Sequence, residues 1–197
     1  MIYLLFSFAI GIGGGVFEVR GDDIVSPSFG PTAEVFFNIE IIPDLVYDIS
    51  IKGGRADAST RSLAYIEVEQ GDTTAFIAVS RVLGEEFEFV EGNLSLDWYP
   101  FPMQIKPYIS ARLGLMRWRF KSNGEVTRSL NGNEFDRYSL SLGGGIGVST
   151  GFSGFVLSVD VVSDFIFSVD NDWKDGFGTG DDNEYAVGVN IRIARGF

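Results

Sequence analysis

The sequence predicts an all-β chain, a closed antiparallel up-and-down transmembrane β-barrel. Three observations predict it. Apolar and polar residues alternate with period two over segments of ten or more residues. Short turns alternate with long polar loops. No stretch approaches the ~18 consecutive apolar residues that a membrane helix needs.

The segments justify this in chain order. Residues 1–7 read as the remnant of an export signal or as a lead-in, and 8–197 as one barrel domain. In the first strand, Ile10, Ile12 and Val16 oppose Gly11, Gly13 and Gly15. Ala33, Val35, Phe37, Ile39 and Ile41 oppose Glu34, Asn38 and Glu40, and after the tight turn at Pro43-Asp44, Leu45, Tyr47, Ile49 and Ile51 oppose Asp48, Ser50 and Lys52. Val90, Leu94, Leu96 and Trp98 oppose Glu91, Asn93, Ser95 and Asp97. Ile109, Ala111, Leu113 and Leu115 oppose Ser110, Arg112 and Gly114. Arg117 and Arg119 then enter the apolar row, which places them at headgroup level, where a long cationic side chain reaches water.

Tyr138, Leu140, Leu142, Ile146 and Val148 oppose Arg137, Ser139, Ser141, Gly143, Gly145 and Gly147. Phe155, Leu157, Val159, Val161, Phe165 and Phe167 oppose Ser158, Asp160, Asp164 and Ser168. In the last segment Tyr185, Val187, Val189, Ile191 and Ile193 oppose Ala186, Gly188, Asn190, Arg192 and Ala194. A helix would scatter these two sets around its circumference, whereas a strand separates them.

Tight turns at 42–45 and 150–154 and a longer one at 99–106 make the periplasmic end, and the loops near 20–31, 121–134 and 169–183 make the extracellular one. Segments 62–69 and 74–82 flank Gly71-Asp72 as a hairpin, with apolar rows too short to cross a bilayer. The expectation is a hairpin protruding from an extracellular loop, leaving eight membrane strands; counting it into the wall gives ten.

Periodicity alone leaves open which row faces out, and a soluble lipocalin-like ligand-binding barrel alternates as well. The opposing row decides for lipid: it is too charged for a soluble core and, at Gly143, Gly145 and Gly147, too glycine-rich for a solvated face. Aromatics also gather at strand ends as interfacial girdles do, with Trp98, Tyr99, Phe101, Tyr108, Phe152 and Phe155 on the turn side and Trp118 and Tyr138 on the loop side.

Two segments carry a family likeness. Asn93-Leu-Ser-Leu-Asp-Trp-Tyr-Pro-Phe101 and Lys106-Pro-Tyr-Ile-Ser-Ala-Arg-Leu-Gly-Leu115 resemble the small outer-membrane β-barrel superfamily, the porin-like, eight-stranded surface proteins of Gram-negative cells. The row Tyr185, Val187, Val189, Ile191 and Ile193, with the terminal Phe197, is similar to the closing strand that the outer-membrane barrel assembly machinery recognises, except that Arg195 stands where an apolar residue is usual. The resemblance implies a cell outer membrane location, with outer-membrane lipid and that machinery as partners. It does not choose among adhesins, small pores and structural proteins.

Composition limits the chemistry. The net charge of −12 argues against nucleic acid. The chain has no His and no Cys, so it lacks the commonest general base and metal ligand, and thiol chemistry as well. No catalytic pair can be named and no cofactor is expected. The acidic loop with Asp170, Asp172, Asp175, Asp181 and Asp182 matches a calcium loop only loosely, and no metal is assigned. The candidate site is the inward polar row: Glu34, Glu40, Asp48, Lys52, Glu91, Asp97, Arg112, Arg137, Asp160, Asp164 and Arg192. Eight strands enclose just enough room for side chains to fill, so the expectation is a structural or surface-interaction barrel with a packed polar lumen. The alternative is a small passive pore for ions or small solutes, with these charges as its filter.

Overall fold

The computed structural model describes residues 7–21, 24–70, 73–130, 132, 134–168 and 184–196. Twelve strands follow in order: β1 (Ser7–Arg20), β2 (Ile24–Val25), β3 (Gly30–Ile42), β4 (Leu45–Asp57), β5 (Ser59–Gln70), β6 (Thr73–Leu83), β7 (Glu86–Trp98), β8 (Ile105–Ser122), β9 (Glu125–Val126), β10 (Asp136–Phe152), β11 (Phe155–Ser168) and β12 (Glu184–Gly196).

Eight of them, β1, β3, β4, β7, β8, β10, β11 and β12, form one antiparallel barrel in which each pairs with the next. It closes between the two ends of the chain, where β1 and β12 pair from Ala9↔Gly196 to Arg20↔Tyr185. Closure leaves no edge strand, which a wall standing in hydrocarbon cannot tolerate. The expected hairpin stands apart from this wall. β5 and β6 pair with each other from Thr60↔Leu83 to Gln70↔Thr73 and, among the described residues, otherwise only with the short β2, so the wall has eight strands and not ten. The turn at Gly71-Asp72 lies outside the described residues.

Local chemistry explains the turns. Between β10 and β11, Ser153 and Gly154 have φ of 48° and 80°, the paired positive values that match a two-residue loop to the twist of its strands. Pro107 lies inside β8 but beyond its pairing with β7, which begins at Ile109↔Trp98, so the missing N–H breaks no bond on that side.

The barrel wall is apolar outside, and the interior toward the turns is polar. Ile51 and Ile146 are 66% and 65% exposed, whereas Asp48 and Glu91 are 2% and 1% exposed. A soluble ligand carrier would have the reverse arrangement. Arg117 and Arg119 face outward at the loop-side end of their row.

Part of the expected aromatic girdle is corrected. Trp98, Phe101, Phe152 and Phe155 are exposed on the turn side, and Tyr138 on the loop side. Tyr108 and Trp118 instead point inward and are buried, and the half-buried Tyr99 packs its ring 5.2 Å from that of Tyr108. The reason is parity: Tyr108 and Trp118 share the even row of β8 with Ser110, Arg112 and Gly114, and nearness to a strand end does not override the side that the pleat dictates.

Candidate functional site

The interior has two tiers. Toward the turns it is charged. Glu34, Asp48, Lys52, Glu91, Asp97, Arg112, Asp160, Asp164 and Arg192 are all buried there. Glu40 and Arg137 belong to the same inward row but are half-buried, near opposite ends of the barrel. Arg192 forms ion pairs with Glu34 (Nε–Oε2, 3.3 Å) and with Asp48, and its guanidinium lies 3.9 Å from the ring centroid of Phe36. Arg112 reaches Asp164 at 3.2 Å. Tyr108 donates to Asp160 at 2.9 Å, Asn190 donates to the other oxygen of Asp160 at 2.8 Å, and Ser141 donates to Glu91.

These contacts share a geometry. Gly143 of β10 pairs in register with both Arg112 of β8 and Asp164 of β11. Gly147 stands likewise between Tyr108 and Asp160, and Gly13 between Arg192 and Glu34. In each case two long side chains from second-neighbour strands meet over a glycine on the strand between them. A Cβ at Gly147 would run into the Tyr108 ring, and one at Gly143 into the Asp164 carboxylate. The glycine row is therefore the space through which the polar braces pass.

Toward the loops the interior turns apolar. Phe17, Val19, Phe87, Phe89, Met116, Trp118, Phe120 and Phe135 form a buried cluster, joined by Ile24, Ala56, Ala58 and Ile166. The Phe17 and Phe89 rings meet edge to face at 4.7 Å, and Phe87 packs against both Trp118 and Phe120. Trp118 places its one polar atom on Ser139, donating from Nε1 to Oγ at 2.9 Å. This tier was not expected as such, although continuing the odd inward row of β7 from Glu91 back to Phe89 and Phe87 reveals it.

Near the loop-side end, the outer wall carries ion pairs. Arg117 donates two hydrogen bonds to Asp136, and Arg119 and Lys121 both donate to Glu88. On the closing strand, Val189, Ile191 and Ile193 are exposed on the outer wall, Tyr185 and Val187 are half-buried, and Arg195 is exposed opposite Phe155. Phe197 and the acidic loop 169–183 lie outside the described residues.

Among solved structures, Neisserial surface protein A (NspA) superposes with a TM-score of 0.60 at 15% identity, over 96% of this chain and 97% of that one. The fold is that of the small eight-stranded outer-membrane barrels. A major outer membrane protein from Thermus thermophilus gives 0.51 at 15% identity, over 98% of this chain and 100% of that one. At such identities the likeness concerns the barrel alone. No protein-family model matches the chain, and neither does any curated protein sequence.

Proposed function

We propose that the chain is an integral protein of the cell outer membrane with a structural or surface-interaction role, and that it is neither an enzyme nor a pore. Its apolar wall suits outer-membrane lipid. Its closing row, Tyr185 to Ile193, suits the barrel assembly machinery, as the sequence resemblance implies. The hairpin β5–β6 and the loops beside it would meet the exterior.

One observation carries the choice against conduction: the aromatic tier. Phe17, Phe87, Trp118 and Phe120 are each 1% exposed and pack against one another across the loop end of the interior. A selectivity filter needs a continuous wet path. An apolar stopper above paired charges interrupts one, and the charges below it serve as cross-braces. Planar-bilayer recording of the purified barrel tests this. Quiet membranes are expected; reproducible stepwise currents would transfer the reading to a small passive pore.

A further inference from the structure

On the outer wall, near the loop-side end, β3, β4, β7 and β8 enclose a groove of about 500 Å³. Its floor is the cross-strand row Ala33↔Gly53↔Val90, which ends on Arg117. The next row toward the turns runs Val35↔Ile51↔Gly92↔Leu115. The row toward the loops runs Arg55↔Glu88↔Arg119. A hollow lined by alkyl groups thus opens at one end into the hydrocarbon band and at the other onto three arginines.

The glycines here differ from those inside. Gly143 and Gly147 leave room for side chains, but a Cβ at Gly92 would meet nothing within 4 Å, and one at Gly53 would make only ordinary contacts, the nearest at 3.4 Å. Packing does not require either glycine, and glycine weakens a strand. Elsewhere the same face carries Ile, Leu and Val.

The rim is charged against the trend of the chain. Overall the protein carries −12. The groove's own lining holds Arg55, Arg117 and Arg119 against the one carboxylate of Glu88, and Arg117 and Arg119 are ion-paired with Asp136 and Glu88 respectively. Those carboxylates hold Arg117 and Arg119 in place, while none of the ion pairs among the described residues uses Arg55.

We infer that this groove is a binding site for one lipid with an anionic phosphate headgroup, its acyl chain lying over Ala33, Gly53 and Val90 and its phosphate among Arg55, Arg117 and Arg119. The inference rests on the outer-membrane reading above. Guanidinium groups recognise phosphate with charge-assisted hydrogen bonds, and the adjacent hollow supplies the apolar half of the ligand.

Native mass spectrometry of the full chain, released from detergent with equal phosphatidylglycerol and phosphatidylcholine, tests it. Preferential retention of phosphatidylglycerol is expected. The double variant Arg55→Gln/Arg119→Gln should lower that retention roughly tenfold, the scale of a lost charge-assisted contact. Gly53→Leu fills the hollow without touching a charge and should lower it comparably. Equal retention of both lipids, or retention unchanged in Gly53→Leu, overturns the site. So does inorganic phosphate binding with equal strength to the native chain and Gly53→Leu, since that describes a free-anion site. Heat-modifiable gel migration is read on every variant. A folded barrel that retains no lipid overturns the groove alone, whereas a native chain that cannot insert into bilayers overturns the outer-membrane reading first.

Discussion

Arg112 of β8 and Asp164 of β11 meet at 3.2 Å over Gly143, on the strand that separates theirs. Both are buried, so each charge depends on the other. Asp164→Ala should cost about 3–5 kcal/mol, because it strands a buried guanidinium. Replacing both partners together, Arg112→Met with Asp164→Leu, should recover most of that loss. Urea unfolding from lipid vesicles measures both. A double variant as unstable as the single one would deny the pair its bracing role.

Gly143→Val tests the space between them. Its side chain would enter the volume held by the Asp164 carboxylate, and overpacking of this kind costs about 1–3 kcal/mol. By contrast, a Cβ at Gly92 on the outer wall meets nothing within 4 Å, and Gly92→Val should leave the unfolding midpoint unchanged or raise it.

Trp118 and Trp98 separate the two environments. Trp118 is buried in the aromatic tier, and Trp98 is exposed on the turn-side rim. Trp118→Ala should destabilise by about 3–5 kcal/mol, the range for a large aromatic removed from a packed interior. Trp98→Ala should cost less in the same unfolding assay. The opposite ranking would remove the stopper from the account.

The hairpin should be dispensable. Leu63 and Ser80 are cross-strand partners, so excising 64–79 and joining them through Asn-Gly keeps the register below. The shortened chain is expected to fold into vesicles and to keep its heat-modifiable migration. Failure to insert would mean that β5 and β6 belong to the wall.

Much of this fold was legible because one period governs it. Alternation in residues 187–193 assigns every side chain to a face, and the short apolar rows around Gly71-Asp72 set the hairpin outside the wall. Parity was also enough to place Tyr108 and Trp118 inside; the attraction of aromatics to strand ends obscured it. The braces were not legible. Arg112 and Asp164 are brought together by the register of two hairpins, and an alternation pattern is unchanged when register slips by two residues. The groove was hidden for a similar reason. Ala33, Gly53 and Val90 are far apart in sequence and become one hollow only when β3, β4 and β7 lie side by side.

The central claim is that hydrocarbon wets the row of Val187, Val189, Ile191 and Ile193. The chain has no cysteine, so single-cysteine variants from 187 to 193 can each carry one nitroxide label in reconstituted bilayers. Collisions with dissolved oxygen, which concentrates in lipid, should peak at 187, 189, 191 and 193 and fall at 188, 190 and 192. If a water-soluble nickel chelate instead reaches the odd positions while the even ones respond to oxygen, the barrel does not stand in a membrane with this face outward.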